Sequence, residues 1–179
     1  MSVPREKILE LLPEIGQIVD PVLKELTLKV WFEAVKKSSW SEDDLTRMPF
    51  TLLIKTTAVS LLEHTRSVTK TAIGIGDVLH KEYHGKVRVD RDVLLAGAIL
   101  HDVGKLFEYT LENGVFVKSR AGDLLRHPIS GAAFAYQFGV PEEIVHIIAS
   151  HSKEGDGGRR TIEAIIVNHA DFVNFDVFK

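Results

Sequence analysis

Apolar residues recur at steps of three and four along most of the chain, which is the spacing of one face of an α-helix. The longest such stretch runs from about Thr51 to Tyr83 and includes Leu61, Val68 and Leu79. The whole pattern predicts helices at about residues 5–15, 21–37, 41–48, 51–83, 91–104, 128–137, 141–151 and 161–176.

One short segment departs from helical spacing. Residues 107–118, FEYTLENGVFVK, alternate differently and centre on Asn113-Gly114, a pair that strongly favours a tight β-hairpin turn. We therefore expect an all-α fold, a helical bundle with one small β-hairpin near 107–118.

Length and charge limit the classes of partner. A chain of 179 residues is expected to form one domain, and its formal net charge of −3 argues against long nucleic acid or an anionic membrane as the main partner. No signal-peptide pattern opens the chain, and no apolar run is long enough to cross a bilayer, so we expect a cytoplasmic protein. Because the chain has no cysteine, any transition-metal site must use histidine and carboxylate.

Several ionisable residues fall on apolar helix faces or at helix starts, where burial would be costly unless they are paired or bind metal. Taken singly, each histidine fits a core imidazole bonded to a backbone carbonyl; taken together, the residues favour a shared cation. Mixed nitrogen and oxygen donors suit one or two divalent ions of Mn, Fe, Co, Ni or Zn. The residues are His64, His101, Asp102, His127, His151 and Asp171.

The order H…HD…H…H…D, with HDVGK at 101–105, resembles the HD superfamily of metal-dependent phosphohydrolases. The later HPISG stretch at 127–131 makes the HD domains of bacterial 3′–5′ exoribonucleases the most similar branch. The resemblance covers residues 50–176, and it implies an HD domain at 49–179 with residues 1–48 as a helical extension packed on it. It also implies that the six residues named above are the metal ligands, with Asp102 bridging two ions.

The activity that this resemblance implies is hydrolysis of a phosphomonoester or phosphodiester, in a nucleotide or short oligonucleotide, at a two-metal site. Asp102 and Lys105 are the predicted catalytic residues, because Lys105 follows Asp102 by three positions and can direct its ammonium group at a phosphate in the same site. A solvated lysine at a helix end is the alternative. Arg66 and Arg126 are weaker phosphate ligands, for which a surface role is favoured.

Departures from the family pattern argue against some branches. Ser152 stands where many two-metal members have a second histidine, and Gly158-Arg159-Arg160 replaces the Gly-Tyr-Pro signature of cyclic-di-GMP phosphodiesterases. Ser60 stands where three-metal members have a glutamate, so a third ion is not expected. Two alternatives stay open: a mixed-valence diiron oxygenase of the HD fold, and a non-catalytic nucleotide-binding module. The sequence also leaves open the natural substrate and the identity of the metal. It does not decide whether residues 1–48 cap the domain or form a homodimer surface.

The other histidines receive structural interpretations. His80 and His84 lie at a polar helix end, where a partly positive imidazole favours the helix dipole. His146 is predicted to be exposed, and His169 is predicted to be a core histidine.

Overall fold

Helices make up nearly all the regular structure of the described residues, 3–54 and 58–179, in a computed structural model. The predicted all-α fold with one hairpin is confirmed. The α-helices and strands are α1 Arg5–Leu11, α2 Pro21–Ser38, α3 Glu42–Arg47, α4 Leu61–Glu82, α5 Arg91–Leu100, α6 Lys105–Glu108, β1 Tyr109–Glu112, β2 Val115–Lys118, α7 Arg120–Leu124, α8 His127–Gln137, α9 Glu142–Ser150 and α10 Ile162–Asp176. Short 3-10 helices cover Pro13–Gln17 and Lys153–Gly155.

The start of α4 corrects the sequence prediction. The helix begins at Leu61, because the Ser60 side chain accepts from the Glu63 backbone N–H while the Glu63 carboxylate accepts from the Ser60 backbone N–H. This reciprocal cap is a strong start signal that the apolar spacing alone does not reveal. The predicted helix is therefore wrong for residues 51–54 and 58–60; positions 55–57 of that prediction lie outside the described residues.

The HD sequence lies in a turn and not inside a helix. Helix α5 ends at Leu100, a turn covers 101–104, and α6 follows, so the predicted helix 91–104 is too long. The hairpin strands likewise begin at Tyr109, two residues later than predicted. Gly104 permits this turn to approach the start of α8 closely: a Cβ at Gly104 would lie 2.0 Å from the His127 carbonyl oxygen.

Helix α5 lies at the centre of the molecule and packs against α2, α4, α9 and α10. Every residue from Leu94 to Leu100 is buried, as the prediction of an almost wholly apolar helix implies. Gly97 allows α9 to come close, since a Cβ there would lie 2.4 Å from the Ile147 Cδ1 atom. The central helix therefore holds the following turn in a fixed place.

The N-terminal helices share a hydrophobic core with α5, α8 and α9. The Trp31 indole N–H donates to the Ile99 carbonyl oxygen at 3.0 Å, and the Trp40 indole N–H donates to the Leu106 carbonyl oxygen at 2.8 Å. Arg66 donates to the buried Glu14 carboxylate at 3.1 Å, which ties α4 to the N-terminal segment. The division of the chain at 48/49 stays a prediction. Within the described ranges, no helix is long and apolar enough to span a membrane.

Substituting Gly104→Ala should destabilise the protein by about 1–3 kcal/mol, because the new methyl group must displace the start of α8. The matched control is Gly74→Ala in α4, where a Cβ meets no atom within 4 Å and the change should be neutral or stabilising by up to about 1 kcal/mol. Urea unfolding measures both free energies, and equal values for the two variants would contradict the close approach at Gly104.

Candidate metal centre

The structure brings the predicted ligand side chains together in one largely buried cluster, although they come from separate elements. Helix α4 contributes one, the turn after α5 contributes two, and α8, the residue after α9, and α10 contribute one each. The cluster comprises His64, His101, Asp102, His127, His151 and Asp171. Their role as metal ligands stays a prediction.

The two carboxylate oxygens of Asp102 face different histidines. Its Oδ2 atom lies 3.3 Å from His101 Nε2 and 3.5 Å from His64 Nε2. Its Oδ1 atom lies 3.2 Å from His127 Nε2 and 3.6 Å from His151 Nε2. Asp102 therefore stands between two halves of the cluster.

Asp171 completes the first half. Its Oδ1 atom lies 3.0 Å from His64 Nε2 and 4.0 Å from His101 Nε2, and the three donor atoms can share one ion. Two donors about 2.1 Å from a tetrahedral ion lie about 3.4 Å apart. The separations in this half are close to that value, so its spacing fits a divalent transition ion. Donor atoms of His101, Asp102 and His151 also lie within 4.8 Å of one another.

The outer nitrogens of three histidines fix their ring orientation. His101 Nδ1 lies 2.6 Å from the Ala98 carbonyl oxygen, and His151 Nδ1 lies 2.8 Å from the Ile148 carbonyl oxygen. Because a carbonyl oxygen only accepts, each Nδ1 carries a proton, and in the neutral ring this leaves the Nε2 lone pair directed at Asp102. His127 Nδ1 is held in the same way, 2.6 Å from Glu108 Oε2.

Lone pairs of nitrogen and of an ionised carboxylate repel each other unless a proton or a cation lies between them. Three of these buried atoms, His101 Nε2, Asp102 Oδ1 and His151 Nε2, have no hydrogen-bond partner among the described residues. Buried polar atoms are normally paired, and unpaired ones need an explanation such as an ion. The donor types and their orientation fit one or two divalent transition metals.

The electrostatics of the cluster favour the metal-binding protonation states of Asp102, Asp171 and His127. For His101, burial lowers the pKa but the Asp102 carboxylate outweighs it and raises the pKa, so an ion bound there must displace a proton. Burial opposes ionisation of Asp102, but the Lys105 ammonium and His101 beside it hold the pKa of that carboxyl well below its usual range. Burial also opposes ionisation of Asp171, yet the hydrogen bond to His64 and the charge of His101 lower its pKa to about 2. Burial lowers the pKa of His127 to about 4 against the opposing hydrogen bond to Glu108. Ionised carboxylates and neutral imidazole are the forms that bind metal.

Lys105 lies inside the site and is not a solvated residue at a helix end. Its ammonium donates to Asp102 Oδ2 and to the Phe50 carbonyl oxygen, both at 2.6 Å. Although burial favours the neutral amine, the Asp102 carboxylate raises the pKa of Lys105, so the group is charged. A fixed positive charge therefore borders the first half of the cluster.

Sequence reasoning missed Glu108. This buried carboxylate accepts from the His127 backbone N–H at 2.8 Å, lies beside His127 Nδ1 and accepts from Arg126 at 2.9 Å. It lies 19 residues from His127, and no periodicity or motif connects the two, because only the fold brings them together. A carboxylate behind a histidine orients the ring and strengthens it as a ligand.

The structure also places the two arginines and two of the other histidines for which the sequence allows predictions. Arg126 pairs with Glu108 and Glu154 at the mouth of the site, whereas Arg66 is occupied by Glu14. His146 is half-buried and accepts from the Thr161 backbone N–H at 3.3 Å, so the prediction of an exposed side chain is wrong. His169 is exposed, and its prediction as a core histidine is wrong because α10 buries Ala164, Ile166, Val167, Asn168 and Ala170 instead.

A pocket opens above the cluster. Its volume is about 490 Å³, and Lys105, His127 and Asp171 reach into its lining. This volume lies within the range of about 300–1,000 Å³ that is usual for small-molecule sites. The arrangement can bring a small anionic group next to the histidine and aspartate side chains.

Comparison with known families identifies the class of protein. The profile of the HD domain family matches residues 61–174, a range that includes all six clustered residues. The chain belongs to the HD domain family, and the predicted resemblance is confirmed.

Individual relatives are similar over parts of their length. The dihydroneopterin 2′,3′-cyclic phosphate phosphodiesterase of Methanocaldococcus jannaschii is 41% identical over 113 residues, covering 62% of this chain and 44% of that protein. Ribonuclease Y of Acidothermus cellulolyticus is 30% identical over 89 residues, covering 50% of this chain and 15% of that protein. Ribonuclease Y of Borrelia garinii subsp. bavariensis is 33% identical over 115 residues, covering 64% of this chain and 19% of that protein. This chain thus spans less than half the length of these relatives. No solved structure matches it significantly.

Replacing Asp102 by asparagine should remove tightly bound metal, because the cluster loses the one anionic side chain that faces both halves. We expect manganese or cobalt retained after gel filtration to fall at least tenfold, measured by element-specific mass spectrometry. The control is Asp77→Asn, an exposed carboxylate on α4 whose charge change is the same. Equal metal content in the two variants would contradict the site.

Glu108→Gln should weaken metal binding by roughly 10–100-fold, because the ring of His127 loses its anionic partner. Competition with a fluorescent chelator measures the dissociation constant. Glu112→Gln, an exposed position in β1, should leave the constant unchanged. An unaltered constant in the Glu108 variant would contradict the idea that the Glu108 charge strengthens His127 as a ligand.

Proposed function

We propose that this chain is a metal-dependent phosphodiesterase that acts on a small phosphorylated compound. The observation that carries the proposal is the position of Asp102, whose two oxygens face separate sets of histidine nitrogens with lone pairs directed inward. In the proposed centre, two divalent ions of Mn, Fe, Co, Ni or Zn are held by His64, His101, Asp102, His127, His151 and Asp171.

When bound, such ions polarise a phosphoryl oxygen and lower the pKa of a water molecule. The chain's own residues bind and orient the substrate. Lys105 carries a positive charge at the floor of the pocket, next to Asp102, where it can attract one non-bridging phosphate oxygen. Arg126 supplies a second cation at the pocket wall, held in place by Glu108 and Glu154. Asp102 and Lys105 are therefore the proposed catalytic residues.

The substrate that we propose is a phosphodiester the size of a nucleotide or short oligonucleotide. The relative from Methanocaldococcus jannaschii bears the name of a phosphodiesterase for a 2′,3′-cyclic phosphate, and this is the most specific guide to the bond that is cleaved. The pocket volume of about 490 Å³ suits one small ligand. The formal net charge of −3 gives no general attraction for long nucleic acid.

Loaded with manganese or cobalt, the protein should hydrolyse nucleoside 2′,3′-cyclic phosphates, and chelation by EDTA or the change Asp102→Asn should lower the rate at least a hundredfold. The reason is that both treatments remove the cations next to the scissile phosphate. Product formation is followed by liquid chromatography, with Asp77→Asn as the variant that should retain full activity.

Two other results would overturn the proposal. Oxygen uptake together with the paramagnetic signal of an iron pair would assign the site to an HD-fold oxygenase. Tight nucleotide binding without turnover, across several phosphodiesters and metals, would assign it to a non-catalytic binding module.

A further inference from the structure

We propose that one wall of the pocket is a subsite for a planar ring of the substrate. This subsite favours substrates that have a ring, but it does not distinguish rings by the hydrogen-bonding groups at their edges. This inference rests on the proposed function. We call this surface the apolar wall, and it consists of Leu52, Leu53, Ile54, Phe172 and Phe175.

The apolar wall lies next to the metal centre. Phe172 and Phe175 follow Asp171 on α10, and Phe175 is one turn, or about 6 Å, along the helix axis from that carboxylate. Both rings line the same pocket as Asp171 and Lys105. A ligand whose phosphate is near Asp171 therefore places its neighbouring atoms, within a few bonds, against these two rings.

A chain of aromatic contacts connects Phe175 of the apolar wall to the cluster. The Phe50 ring stacks on the His64 ring with centroids 4.6 Å apart, and Phe175 packs edge-on against Phe50 at 5.9 Å. The Phe50 carbonyl oxygen accepts from Lys105. Because packed side chains connect Phe175 to the centre, the fold sets the distance between this ring and the cluster.

The apolar wall leaves hydrophobic surface uncovered. Leu53 is 78% exposed, and Leu52, Ile54, Phe172 and Phe175 are only partly buried. Arg126, Lys153 and Glu154 line the same pocket, and the Lys179 ammonium lies 4.7 Å from the centroid of the Phe175 ring. Grouped exposed apolar residues beside a site mark a surface that a ligand covers. A lining that combines apolar and cationic side chains suits a ligand that has a flat apolar part and an anionic part.

The side chains of the apolar wall have no hydrogen-bond donor or acceptor. Every heterocycle has a face that can stack, so a hydrophobic surface binds a substrate with a ring better than one without a ring. The same surface cannot strongly reject a ring because its edge carries different hydrogen-bonding groups. The substrate class is therefore a heterocycle joined to a phosphodiester by a short linker, with little discrimination among heterocycles.

The test compares kcat/KM of the metal-loaded protein for the 2′,3′-cyclic phosphates of adenosine, guanosine, cytidine and uridine with that for glycerol 1,2-cyclic phosphate. The last compound has the same reacting group and no planar ring. We expect all four nucleosides to react at least about tenfold better than the glycerol compound, and to differ among themselves by less than tenfold.

Variants separate ring binding from general damage. Phe172→Ala and Leu53→Ser should each lower kcat/KM for the nucleoside substrates by a larger factor than kcat/KM for the glycerol compound, so that most of the preference for nucleosides is lost. Val173→Ala is the matched control, because Val173 is 57% exposed on α10 and is not among the lining residues of the pocket. Its ratio of the two rates should equal that of the unmodified protein.

Calorimetry measures binding of adenosine 2′-monophosphate and of glycerol 2-phosphate to the metal-loaded protein. Because it measures binding without turnover, it tests the subsite separately from the proposed function. Ring-dependent binding without turnover of any cyclic phosphate would overturn the proposed function and support the subsite. Turnover of the glycerol compound at the nucleoside rate would overturn the subsite and support the function. A preference above tenfold for one base, or equal losses on both substrates in Phe172→Ala, would also overturn the subsite. Absence of both turnover and binding would overturn both.

Discussion

An ionised carboxylate surrounded by nitrogen lone pairs, away from water, is the constraint on which the arrangement of this protein depends. Asp102 is 1% exposed, and removing a charge from water costs several kcal/mol unless other groups compensate. Lys105 compensates at Oδ2, but Oδ1 has only histidine nitrogens near it and no hydrogen-bond partner among the described residues. A second positive charge on that side would satisfy both the carboxylate and the imidazoles, and the proposed metal pair supplies it.

The helices place this carboxylate rather than merely surround it. Helix α5 is buried over its last seven residues and ends at Leu100, so the turn that carries His101 and Asp102 starts from a fixed point. Glycine at position 104 then lets the start of α8 approach, which brings His127 to within 3.2 Å of Asp102. The N-terminal helices support the same region through hydrogen bonds from their tryptophans to carbonyl oxygens of Ile99 and Leu106.

The sequence predicts the helical fold and the membership of the clustered residues, because periodicity and the spacing of HDVGK are local signals. It does not predict helix boundaries that depend on side-chain caps. Ser60 and Glu63 cap α4 so that the helix begins ten residues later than the apolar spacing suggests. Glu108 and the apolar wall are beyond such reasoning, since they combine residues distant in the chain. His169 is a similar case. Even a mostly apolar helix has a face that is exposed to solvent, and the spacing of apolar residues did not show that His169 lies on that face of α10.

The most direct test of the central claim is X-ray absorption spectroscopy of the cobalt-loaded protein. If Asp102 joins two ion sites, the spectrum will show imidazole nitrogen and carboxylate oxygen ligands together with a second metal at about 3.5–4 Å. A spectrum that shows only oxygen ligands and no imidazole would contradict the claim. So would the absence of a second metal near the first when both sites are fully loaded with cobalt.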